Sequence, residues 1–435
     1  MADLKHACAV VVAGVLLATP AAIAQQPTAV ATAKPNGQGD VQGMSRERLA
    51  RIAPAMKGQV DEGVFPGVVT MVARRGQLVH FEAHGFLDAA KSKPMPKDAL
   101  FRLASMTKPI VSVAAVMMIE RGDMKLHDPI ARWLPELKDV KVETRKTDKE
   151  GKEVVEDVAP NRPILVHDLL RHTAGFVYAG AAKSARIKEM YEKANIEARD
   201  SEISGDDMLK ALGAIPLTHQ PGTFWEYAIT TDVLGLLLER VAKKPLDQIL
   251  KELLFDPLGM TETTFRLPAA KQARVAEAFP SDPLAPAMGK SYAIHFSPGS
   301  KSYLRGGAGL IGTADDYLKF AQMVVNGGEL NGRRFMSKKT VEFMLSNHIA
   351  GMGGTTIATT GPGYGFGLGW GVRLDEGMGY APGSKGDAMW AGAWGTSFWV
   401  DPKERLVGIL MSQAPSRRYD TRMLMKNLVY GAVVN

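Results

Sequence analysis

Two apolar runs flank Arg74-Arg75-Gly76 between Val68 and Ala83, a pattern that predicts a β-hairpin. A second hairpin is predicted near the far end, where Thr396 to Val400 is followed by Asp401-Pro402-Lys403-Glu404 and then by Leu406 to Ser412. Antiparallel strands are thus expected from both ends of the chain. Between them the pattern is mainly helical. Lys108 to Glu120 is almost continuously apolar and stops at Arg121-Gly122, the glycine supplying the left-handed residue that ends a helix. A helix with no polar face is expected to be buried. Further helices are predicted over Val166 to Arg171, Asp206 to Leu212, Thr231 to Ala242, Leu246 to Leu254, Ala314 to Asn326 and Thr421 to Val433. The charged stretch Lys138 to Asp157, with Gly151 in its second half, reads as a protruding hairpin or loop. No internal repeat is visible.

This order of elements predicts an α/β (α+β) protein. An α/β domain is expected from residues 45–104 and 287–435, with a mostly helical domain, 105–286, inserted and a cleft between them. At 435 residues with 46% apolar composition, the chain is long enough for two such cores.

The first residues follow a different logic. Lys5 and His6 precede an apolar run from Ala9 to Ala18, then Pro20 and the small-residue pattern Ala22-Ile23-Ala24 before Gln25. Residues 1–24 therefore read as a secretory signal peptide, and 25–44, rich in Gln, Thr, Ala and Gly, as a flexible linker. The expected location is periplasmic or secreted. No later run approaches the roughly 20 apolar residues of a spanning helix, so no membrane insertion is expected after signal cleavage. The single cysteine, Cys8, lies within the leader, so a cleaved chain has no thiol for a disulfide, a nucleophile or a metal site. The net charge of +7 comes from Lys and Arg interleaved with acids rather than from a basic stripe, which argues against nucleic acid as a partner.

Candidate chemistry centres on Ser105-Met106-Thr107-Lys108, an S-x-x-K sequence at the start of the apolar helix. Residues three apart share a helix face, so hydroxyl and ammonium can meet. A serine hydroxyl attacks a carbonyl only when a base removes its proton, and a lysine desolvated in a cleft is such a base. The helix N-terminus adds amides and a positive dipole end where negative charge would develop. The spacing alone is weak, since ordinary Ser and Lys usage produces it by chance; its place in the most apolar helix after the leader raises it. Against these stands the plainer alternative of a surface lysine in a first helical turn.

Other signals carry less. Gly307-Ala308-Gly309-Leu310-Ile311-Gly312 fits G-x-G-x-x-G, but neither the preceding strand nor the immediately following helix of a dinucleotide site is present. It reads as a close-packed segment near the cleft. There is no G-x-S-x-G elbow and no H-E-x-x-H, and the nine histidines are scattered, so no cofactor and no metal are expected. His172, beside a glycine-ended helix, reads as structural.

Several segments together resemble class C β-lactamases and D-alanyl-D-alanine carboxypeptidases, and most closely the family VIII carboxylesterases. They are Phe101 to Lys108, Leu126-His127-Asp128-Pro129-Ile130, Asp168 to Phe176, Pro221 to Tyr227, Gly306 to Leu310, and Trp390 to Thr396. The resemblance spans nearly everything after residue 45 and implies a β-lactamase/transpeptidase-like fold, an antiparallel sheet flanked by helices. It implies that Tyr227 acts with Lys108 as general base toward Ser105. It also implies that Trp390-Ala391-Gly392 is the third motif, that the Ala393 amide completes an oxyanion hole with that of Ser105, and that Gly392 admits substrate close to the strand. Trp390 and Trp225 are expected to line an apolar pocket, although aromatic clusters are more often plain core.

Two departures bear on substrate. Tyr227-Ala228-Ile229 replaces the lactamase Tyr-x-Asn, and the third motif lacks a cation for a substrate carboxylate. Both point toward neutral small-molecule esters. The expected function is thus a serine carboxylesterase forming an acyl-enzyme on Ser105. The alternatives are a β-lactamase or D-Ala-D-Ala carboxypeptidase, and a non-catalytic binding or scaffold protein of the same fold.

Overall fold

The computed structural model describes residues 39–197, 202–286, 288, 300 and 302–435. The expected leader, most of the expected linker and the expected junction at residue 287 lie outside the described residues.

Strand β1 (Gly67–Arg74) turns through Arg75 and Gly76 into β2 (Gln77–Gly85), the first expected hairpin. Arg75 and Gly76 have φ of 51° and 79°, which gives the turn glycine a direct steric reason. Five further strands belong to the same sheet: β3 (Tyr364–Phe366), β4 (Gly371–Arg373), β5 (Ala388–Ala391), β6 (Ser397–Asp401) and β7 (Leu406–Ser412). The order is β3-β4-β5-β6-β7-β1-β2 and every pairing is antiparallel. β1 and β7 lie side by side in this sheet and are buried along their whole length, which is why both read as largely apolar rather than as alternating runs.

Each face of the sheet has its own cover. Helix α1 (Ile52–Asp61) and the C-terminal helix (Arg418–Gly431) pack Ile52, Met56, Met425 and Val429 against Val68, Val72, Trp399 and Leu410. The opposite face, carrying Val69, Met71, Phe398 and Ile409, belongs to the main core together with Tyr317, Phe320 and Val324 of the helix Ala314–Val325. Val41 and Met44, inside the segment expected as linker, are buried in the first of these layers, and Met44 bridges to Val433.

The helix opened by the S-x-x-K sequence is α2 (Thr107–Arg121). It is buried on nearly every side and ends at Gly122 with φ 88°, as its composition predicts. It packs beside α3 (Thr230–Ala242), which follows Tyr227 directly. The stretch expected as one helix from Leu246 to Leu254 is an α-helix to Leu250 that widens to a π-helical turn over Lys251–Phe255. The charged stretch forms a two-stranded hairpin, Val142–Thr147 with Glu153–Val158. Among the described residues, no helix is long and apolar enough to cross a membrane. The fold is that of the β-lactamase/transpeptidase class: an antiparallel sheet with helices on both faces.

Candidate active site

Ser105 sits in a 3-10 turn, Ala104–Met106, that leads into α2. Ala104 has a φ of 46°, a left-handed conformation uncommon for any residue but glycine, and the surroundings hold it there. The Leu103 amide donates to the Leu310 carbonyl at 3.0 Å. The Thr396 hydroxyl donates to the Leu103 carbonyl at 3.2 Å. The phenol of Tyr317 donates to the Met106 carbonyl at 2.8 Å. The turn is therefore tied to the glycine-rich segment, to the loop after β5 and to the core helix at once.

Lys108 is fully buried, and its three ammonium protons find three acceptors: the Gly307 carbonyl at 2.7 Å, Ser105 Oγ at 3.3 Å and the Tyr178 hydroxyl at 3.4 Å. Complete pairing is what makes a buried ammonium tolerable. The glycine-rich segment is thus a partner of the lysine. A side chain at Gly307 would have to displace Asp232, whose Oδ2 would lie 2.3 Å from a β-carbon there.

The Tyr227 phenol donates to Ser105 Oγ at 2.7 Å, an ordinary O–H···O separation. Its ring lies 4.8 Å from the Lys108 nitrogen. Ser105, Lys108 and Tyr227, assigned by spacing and resemblance, are therefore brought to one point. Trp390 packs on the Tyr227 ring with centroids 5.4 Å apart, and Trp225 lies at 6.5 Å, nearly parallel to it. Both indoles are buried, so they form a wall behind the phenol rather than an open pocket surface. Gly392 follows β5 against the carbonyl of Leu103, and Ala393 packs with Ala104, Ala285 and Trp394 beside the serine turn. Among the described residues no acceptor faces the Ala393 amide.

Asp168 is a second node. It is fully buried, accepts two bonds from Arg162 at 2.6 and 2.9 Å, and is reached by Arg171, Thr173 and the Leu165 amide. Burial raises its carboxyl pKa, but these bonds outweigh that effect and hold it below the usual range. Arg171 continues to the His348 carbonyl at 3.0 Å, tying the end of the helix Val166–Leu170 to the loop beside β3. The node anchors Thr173, next to His172.

Sequence reasoning missed Tyr178 and the Gly307 carbonyl. Tyr178 follows the Asp168 to Phe176 segment by two residues, and its ring stands 5.6 Å from that of Tyr227. The only sequence signal was its nearness to that motif. Among the described residues no cluster of His, Cys, Asp or Glu is arranged to hold a metal.

With this geometry in view, comparison with known proteins is specific. The chain is 35% identical over 364 residues to Protein Rv1367c of Mycobacterium tuberculosis, covering 81% of this chain and 87% of that one. It is 31% identical over 369 residues to Esterase EstB of Burkholderia gladioli, again covering 81% and 87%. The solved structure of EstCE1, a hydrolase with promiscuous acyltransferase activity, superposes with a TM-score of 0.74 at 28% identity, covering 88% of this chain and 99% of that one. The family model described as Beta-lactamase matches residues 52–430. The chain belongs to the Beta-lactamase family.

Proposed function

We propose that this protein is an exported serine hydrolase that cleaves carboxylic esters through an acyl-enzyme on Ser105, in the manner of family VIII carboxylesterases. The observation that carries the reading is the convergence of the Tyr227 hydroxyl and the Lys108 ammonium on Ser105 Oγ, at 2.7 and 3.3 Å.

In the reacting form the Lys108–Tyr227 pair is one proton short, a Tyr227 phenolate beside the Lys108 cation; Ser105 Oγ attacks the ester carbonyl carbon while its proton passes to that phenolate oxygen, which becomes the phenol. The same short contact carries the proton in either direction. The tetrahedral oxyanion is held by the amides of Ser105 and Ala393. It collapses, the C–O bond to the alcohol breaks, and Tyr227 returns the proton to the leaving oxygen. Water, deprotonated by the same pair, then attacks the acyl-enzyme; the C–O bond to Ser105 Oγ breaks, the pair returns the proton to Oγ, and the acid leaves. The esterase relative and the solved hydrolase support esters as the substrate class. Ile229 and Trp390, in place of an amide and a cation, support neutral substrates over β-lactams or peptidoglycan stems.

The test is turnover of a short-chain nitrophenyl ester together with intact mass. Ser105→Ala should abolish turnover without unfolding, and the wild type should gain one acyl mass on Ser105. Rapid opening of a chromogenic cephalosporin with negligible ester turnover would replace this reading with a β-lactamase. Failure of Ser105 to react with a fluorophosphonate would replace it with a binding protein.

A further inference from the structure

We infer that His172 is a positioning residue for Tyr227, acting through an unprotonated Nδ1 that holds the backbone beside the phenol. The inference rests on the proposed role of Tyr227.

Tyr227 stands between a two-residue strand, Phe224–Trp225, and the first turn of α3, so no regular element fixes it. His172 supplies what is missing. The Glu226 amide donates to the His172 carbonyl at 3.0 Å, and the Ala228 amide donates to His172 Nδ1 at 3.2 Å. The Thr230 hydroxyl lies 2.6 Å from the same nitrogen. A single residue thus grips the chain on both sides of the tyrosine. Its ring also lies against the tyrosine ring, with centroids 5.0 Å apart.

These contacts fix the tautomer. A backbone amide can only donate, so Nδ1 must carry a lone pair and the proton must sit on Nε2. An imidazolium would set two N–H groups face to face at Ala228 and release the strap. The surroundings favour the neutral ring. It is buried, and the Lys108 cation lies near enough to act on it; together these hold its pKa well below the ordinary 6.5.

Packing or backbone demands alone do not explain this residue. His172 has a φ of 57°, where glycine or asparagine is the easier choice, and a phenylalanine would fill the same apolar space between Trp225, Tyr227 and Phe366. What neither glycine nor phenylalanine provides is an acceptor at the Nδ1 position.

Three variants separate these roles. The side-chain oxygen of asparagine reaches the Nδ1 position, whereas the glutamine amide reaches that of Nε2. His172→Asn should therefore keep kcat within about fivefold of the wild type, while His172→Gln and His172→Phe should lose about a hundredfold in kcat with KM little changed, the scale of a misplaced acid–base group. Folding is followed by thermal melting. Equal activity of the Phe and wild-type proteins, or an Asn variant as impaired as Phe while folded, would overturn the inference. If Gln and Phe do not fold, the 15N spectrum of histidine-labelled wild type decides: the resonance lost in His172→Asn must report an unprotonated Nδ1 between about pH 5 and 8. A protonated Nδ1 would overturn it. Fluorophosphonate labelling of the wild type keeps the two readings apart. An unreactive Ser105 removes the proposed mechanism itself, whereas a reactive Ser105 with indifferent His172 variants removes only this inference.

Discussion

A β-carbon on Gly392 would lie 2.4 Å from the carbonyl oxygen of Leu103, so the strand edge and the Ser105 turn approach as closely as a backbone allows. The Thr396 hydroxyl, 2.2 Å from the same point, also donates to Leu103. Gly392→Ala must push the loop after β5 away from Ser105 and shift the Ala393 amide. The expected result is a loss of about tenfold to a hundredfold in kcat with little change in KM, as for a misplaced oxyanion donor. Steady-state kinetics on a nitrophenyl ester measures this, and an unimpaired Ala variant would show that the contact is slack.

Lys108→Met tests charge against shape. Methionine fills much of the same volume but leaves the Gly307 carbonyl without its donor, a cost of about 1 kcal/mol that removal of a buried charge offsets. Melting temperature should therefore shift by no more than a few degrees, while turnover falls about a thousandfold or more. A variant that melts far earlier would mean that the ammonium is chiefly a structural strut.

The Asp168 node predicts the opposite pattern. Asp168→Ala strands the guanidinium groups of Arg162 and Arg171 around an empty site, with Arg171 largely buried. Breaking a buried pair from one side costs about 3 kcal/mol or more. Urea denaturation should show a markedly lower midpoint, and ester turnover at low temperature should fall less steeply than for Lys108→Met.

Acid should weaken the fold by way of histidines held neutral. Burial, outweighing the opposing effect of Glu82, lowers the His80 pKa to about 4; burial and the nearby Arg171 lower that of His167 to about 4. Each ordinarily titrates near 6.5, so the unfolded chain binds more protons between these values. The stability that depends on the neutral rings is complete above about pH 6.5 and is lost as pH falls toward 4. Melting temperature should drop by roughly a few degrees between pH 7.5 and 5. His80→Gln, which keeps a polar partner for Thr70 near the Nε2 position, should flatten part of that slope. A melting temperature independent of pH would contradict the assignment.

Much of this arrangement is legible in the sequence because its signals are local. The two hairpins announce themselves by apolar runs around turn residues, and Ser105 meets Lys108 because three positions along a helix share a face. Tyr227 has no such periodicity; only the resemblance to a known motif order selects it. Strands β3 and β4 escaped notice because they are short and carry glycine, and their pairing comes from the neighbours they lie against, whereas β5 is indicated only by the resemblance of the third motif. The Gly307 carbonyl and Tyr178 are contacts across large sequence distances, and a carbonyl has no residue type to read. The π-helical turn at Lys251–Phe255 is likewise set by packing rather than by apolar spacing.

The pairing of β1 with β7, Val68 opposite Ser412 and Arg74 opposite Leu406, also governs how the molecule is made. A ribosome releases the first strand long before its neighbour exists, and until then one flank of a largely apolar strand has no hydrogen-bond partners. Such an edge is an invitation to pair with another chain. Truncation near residue 400 should therefore yield aggregates rather than a smaller folded protein, because β1 gains its second neighbour only once residues 406–412 have been delivered.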